Sequence, residues 1–93
     1  MSQASRTFLV ECYLPGVAEA DVAADCDRLR EAAEALRAED RVIEYLGALF
    51  VAADEAVFHQ LRAADLEAVY EASRRAGLAF ERIVESVGIE RAP

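Results

Sequence analysis

His59 is the only histidine in the chain, and Cys12 is one of two cysteines. Imidazole and thiolate together suit nickel, copper or zinc, and a strand-borne histidine can also act as a general base. A joint site would need both side chains on one face of a sheet. The plainer reading is a core histidine with Gly47 opposite, leaving room for its ring, since one imidazole does not make a tight metal site. A second constellation is Glu11 with Tyr13. Two residues apart on a strand, they share a face. A carboxylate in a partly apolar pocket can have a raised pKa and serve as a base. The alternative for Glu11 is a rim carboxylate paired with an arginine. Tyr45 and Tyr70 read as packing residues whose hydroxyls find partners. No glycine-rich phosphate loop, nucleophile elbow or triad is readable, so a metal-binding protein stands beside two alternatives: an enzyme or small-molecule binder whose pocket Glu11, Tyr13 and His59 line, and an interaction module without a site.

These residues depend on the stretch Thr7–Gly16. Phe8, Val10, Cys12 and Leu14 fall on one face, and Leu9, Glu11 and Tyr13 on the other. Both faces are largely apolar, which predicts a central strand. Pro15 and Gly16 end it. On this assignment Cys12 looks toward the helices.

Residues Val17–Arg37 have helical period, with Val22, Cys26, Leu29, Ala33 and Leu36 as one apolar stripe. Cys26 is therefore core rather than ligand, and the acidic side chains opposite form a solvated face. Arg41–Val51 and Glu55–Ala63 read as strands joined by a short loop at Ala52–Asp54. A three-residue loop would set Gly47 against His59, Leu49 against Val57, Tyr45 against Leu61 and Glu44 against Arg62. A four-residue loop would shift this register by one. Asp65 is a suitable N-cap for a helix over Leu66–Ala76, with Leu66, Val69, Tyr70 and Ser73 on one face and Gly77 as its C′ residue. Phe80–Val87 reads as a last strand near a sheet edge, and Gly88–Pro93 as a loose tail.

The order strand, helix, strand, strand, helix, strand predicts a single α+β domain with the ferredoxin-like plan: an antiparallel sheet with both helices on one face. The first and third strands are then central. The other sheet face has no cover. Leu46, Phe50 and Phe58 pointing there would need a partner, and two sheets paired face to face in a homodimer, a dimeric α/β barrel, would supply one.

Composition agrees with that plan. The chain has 93 residues, 55% of them hydrophobic, an excess that an oligomer interface would absorb. The net charge is −8, and all ten basic residues are arginine. Such a chain repels phosphate backbones and anionic lipid, which argues against nucleic-acid and membrane partners. The N-terminal stretch lacks the apolar core of a signal peptide. The two cysteines read as reduced thiols rather than a disulfide framework. The expectation is a cytoplasmic protein.

The runs FLVECYLPG, YLGALFV, DEAVFHQL and VYEASRRAGLAFERIVESV resemble a family of small bacterial ferredoxin-like proteins of unknown function, also called the nickel-binding protein family. The likeness covers about Phe8 to Val87. Its most specific part is Arg75, Ala76, Gly77 and Leu78, followed by Arg82, Ile83 and Glu85. The resemblance implies a homodimer and, for some members, binding of nickel or another divalent metal. The family's ligand positions fall on Gly47, His59 and Ala72. This sequence keeps a donor only at His59, with Cys12 or a nearby carboxylate as a second ligand.

Overall fold

The computed structural model of the protein describes residues 5–89. Strand β1 (Arg6–Tyr13) is followed by helix α1 (Glu19–Ala38), strands β2 (Ile43–Val51) and β3 (Ala56–Ala63), helix α2 (Leu66–Arg75) and strand β4 (Arg82–Ser86). The four strands form one antiparallel sheet in the order β2-β3-β1-β4. This is the expected ferredoxin-like α+β fold, with β1 and β3 central. The Cα trace is 18 Å through its thinnest direction, which fits one helix layer on one sheet.

Strand β3 shows how the sequence assigns the two faces. Val57, His59, Leu61 and Ala63 are buried beneath the helices, while the alternate side chains are half-buried or exposed. From β1, Phe8, Val10 and Cys12 join the buried set. The expected α1 stripe closes over them. Val22, Leu29, Ala33 and Leu36 are buried, and Cys26 is half-buried against the core. Helix α1 begins at Glu19 rather than Val17, because the Ala18 N–H donates to the Asp21 carboxylate and opens the first turn there.

Helix α2 starts where expected, with the Ala68 N–H donating to the Asp65 side chain at 2.9 Å. Its buried face is Ala68, Val69, Ala72 and Ser73. Leu66 and Tyr70, expected on that face with Val69 and Ser73, are 38% and 47% exposed. The α2 face that meets the core is made mostly of small residues, and the larger Leu66 and Tyr70 fall outside it. The Ser73 hydroxyl donates to the Val69 carbonyl and is satisfied within the helix. At the C-terminus, Gly77 N–H donates to the Arg74 carbonyl and Leu78 N–H to that of Ser73. Gly77 supplies the left-handed φ of +68° that this closure requires.

Both candidate registers of the β2–β3 hairpin occur, one on each side of a β-bulge. Residues 52–55 make the connection, and from Val51↔Ala56 to Gly47↔Gln60 the strands run in the register of the longer loop. The ladder shifts between Tyr45 and Gly47, and Glu44↔Arg62 and Tyr45↔Leu61 pair as the shorter loop predicts. Gly47 therefore lies opposite Gln60 instead of His59, and Leu49 opposite Phe58 instead of Val57. The physical reason is the extra residue, which reverses the side-chain phase of β2. Phe50, expected on the uncovered face with Leu46 and Phe58, is turned back against the core by the same shift.

Candidate functional site

Cys12 and His59 do share a face, and it is the covered one. His59 pairs with Val10 across β1, so Cys12 sits diagonally to it. Neither is accessible, at 2% and 0% exposure. Burial pushes the Cys12 thiol up to about 11, helped by the negative charges of Asp25 and Glu81. Burial also lowers the His59 pKa, against a smaller opposing pull from Asp25. The thiol is therefore protonated and the imidazole neutral near pH 7.

The partner of His59 is Tyr45, whose hydroxyl lies 3.0 Å from Nδ1. This diagonal contact exists because the bulge puts Tyr45 and Ala48 on the same face, with the small Ala48 directly opposite the imidazole. Burial first, then the neighbouring Cys26 thiol, pushes the Tyr45 hydroxyl above its ordinary pKa. The Arg30 guanidinium lies 5.2 Å over the Tyr45 ring. The Nε2 atom of His59 is buried with no hydrogen-bond partner. If Tyr45 donates to Nδ1, Nε2 carries an orphaned proton; if Nδ1 donates to Tyr45, Nε2 is an orphaned acceptor. Among the described residues, no group of three or more His, Cys, Asp or Glu side chains is placed to hold a metal ion. The positions that the family resemblance assigns to ligands do not converge either. Gly47 belongs to the open face, whereas His59 faces the helices and Ala72 is buried in α2.

Glu11 and Tyr13 belong to the open face of β1. Glu11 pairs with Arg82 of β4 at 3.0 Å, so it has the arginine partner of the rim reading. Tyr13 is 52% exposed at the strand end. Beside them the open face carries Leu9, Leu49, Phe58 and Val84, with Leu49 at 71% exposure. At the bulge is a depression of about 280 Å³ lined by Leu9, Leu46, Gly47, Ala48, Leu49, Phe58 and Gln60. Gly47 has φ +125° there, and a Cβ on it would meet nothing within 4 Å. Residues with ordinary side chains rarely adopt that backbone conformation, so the space stays open.

The charges of this face cancel. Glu44 pairs with Arg62 at 3.0 Å, and Glu11 with Arg82. The face is thus neutral, with Leu9, Leu49, Phe58 and Val84 beside its two ion pairs, on a chain of net charge −8. A feature missed from sequence is an apolar groove of about 710 Å³ between α2 and the segment leading to β4, with Tyr70, Leu78 and Phe80 among its walls. Tyr70 and Phe80 stack edge to face, their centroids 5.6 Å apart. Leu66 and Tyr70, four residues apart on α2, were the signal for a second apolar face.

No family model and no curated protein matches the chain. The crystal structure of SCO4226 from Streptomyces coelicolor A3(2) is similar, with a TM-score of 0.66. The match covers 91% of this chain and 99% of that one at 19% identity. At that identity the likeness shows the fold alone. No helix among the described residues is long and apolar enough to cross a membrane.

Proposed function

We propose that the protein is a cytoplasmic homodimeric binding module whose two copies meet through their open sheet faces, in the manner of a dimeric α/β barrel. One observation carries this reading: the open face is charge-balanced and exposes Leu49 beside Leu9, Phe58 and Val84, while the chain as a whole is strongly acidic. Two acidic proteins repel each other over most surfaces. A neutral face is where a second copy approaches without that penalty. Four strands of up to nine residues give a face of about 500 Å² in plan before side-chain relief, toward the ~800 Å² per partner of a standard interface. The unpaired thiols Cys12 and Cys26 support a reducing compartment. The acidic surface argues against nucleic-acid and membrane partners.

The test is the mass in solution by light scattering, for the natural chain and for Leu49→Asp. The expected result is a dimer that becomes a folded monomer on substitution, because a carboxylate between the paired faces would be buried without a partner. A natural chain that is monomeric at every concentration contradicts the reading.

A second reading, binding of nickel or another divalent metal for sequestration, is favoured by the orphaned Nε2 of His59 with Cys12 on the same face. It requires a metal to displace the Cys12 thiol proton, which is released to solvent, and further ligands to close the site. Calorimetric titration of the reduced protein with nickel, zinc and copper tests it. Tight binding that His59→Ala abolishes supports it, and binding unchanged by His59→Ala removes His59 from the site.

A further inference from the structure

We infer that the depression at the Gly47 bulge is a ligand site for a small, uncharged, largely apolar molecule carrying one hydrogen-bonding group, held between the two paired sheets. The inference rests on the paired-sheet reading, because the depression is open in one copy and is enclosed only by a second.

Three features select the ligand. The walls are the apolar side chains of Leu9, Leu46, Leu49 and Phe58, so most of the contact is dispersion and exclusion of water. Gln60 is the one polar side chain in the lining, and its amide can both donate and accept. The charges on the same face are engaged with each other in the Glu44–Arg62 and Glu11–Arg82 pairs, leaving no free charge to neutralise an ionic ligand. Size follows from the depression of about 280 Å³. That lies just below the roughly 300–1,000 Å³ of most small-molecule sites, and fits a flat one- or two-ring molecule. The bulge makes the space, because its extra residue brings Gly47 to the open face where another residue would place a side chain.

Indole is a suitable probe: apolar, uncharged, bicyclic and with one N–H to give to the Gln60 carbonyl. The full chain is titrated with indole in heteronuclear NMR spectra, with light scattering on the same samples. The expected result is a dimer whose backbone amides at Gly47 and Leu49 and side-chain amide at Gln60 shift saturably. Leu46→Trp, which fills the depression, abolishes those shifts. Gln60→Leu weakens indole about five-fold, as for loss of one neutral hydrogen bond, and leaves benzothiophene, the same shape without the N–H, unaffected. An intact dimer with no saturable shift at millimolar indole overturns the ligand site and leaves the dimer standing. Equal loss of indole and benzothiophene in Gln60→Leu overturns the assigned hydrogen bond. A chain that scatters as a monomer throughout overturns the paired-sheet reading and the enclosed site with it.

Discussion

The two faces of one sheet are built from the same strands and have opposite character. The helix side is sealed. Val10, Val57, His59 and Leu61 are fully buried there, and the polar groups among them are held in their neutral forms. The open side leaves Leu49 and Tyr13 more than half exposed and pairs its charges across strands. The difference shows where stability ends and binding begins. Residues of the sealed face are answerable to folding, and residues of the open face to a partner.

Truncation should separate the faces most sharply. Leu61→Ala leaves a cavity under the helices and is expected to cost about 2–5 kcal/mol in urea unfolding. Leu49→Ala, on the same sheet but exposed, is expected to change monomer stability by less than about 0.5 kcal/mol while weakening association. Equal costs at the two positions would erase the contrast.

The sealed face also predicts a pH profile. The folded state raises the Cys12 pKa from 9.0 to about 11. The unfolded chain releases that proton first, so the stabilisation is complete below pH 9 and is lost as pH rises through the folded value. At full extent the loss is about 2–3 kcal/mol, and Cys12→Ala should flatten the fall between pH 9 and 10. Above pH 10 Tyr45 adds a fall of the same sign. At the other end, the lowered pKa of His59 means that the unfolded chain takes up a proton the folded chain refuses. Stability is therefore expected to decline as pH drops below 6.5. Denaturation midpoints measured across pH would show both limbs, and a flat profile would mean that neither group is sealed.

A smaller effect tests the bulge from its inner side. Tyr45→Phe removes the partner of His59 Nδ1 and should cost about 1–3 kcal/mol, with faster amide exchange at Gly47 and Ala48. The smallest expected effect lies away from both faces. Asp40 adopts φ +67° just past α1, where Asp40 N–H donates to the Arg37 carbonyl and Arg41 N–H to that of Leu36. Asp40→Gly should stabilise by about 0.5–1 kcal/mol, seen as a rise in thermal midpoint with no change in oligomeric state.

Much of this was legible in residue order. The alternation of β3, the α1 stripe from Val22 to Leu36, the Asp65 cap and Gly77 all act locally, so periodicity and spacing predict them. The bulge was not read, because it depends on how a four-residue connection is reconciled with the Glu44–Arg62 pair farther along. Gly47 inside a β-branched and aromatic run was its trace. The contact of His59 with Tyr45 depended on that same shift, whereas the face of His59 follows from the alternation of β3 itself. The outward position of Leu66 and Tyr70 depended on which face of α2 meets the sheet, a tertiary fact with no local spacing rule.

The most direct test of the account is an isotope-filtered NMR experiment on a sample mixing labelled and unlabelled chains. Contacts between chains are expected from the methyl groups of Leu9 and Leu49 to the Phe58 ring, and none from Leu29 or Leu36. Contacts between chains confined to Tyr70, Leu78 and Phe80 would place the interface on the α2 groove and contradict it.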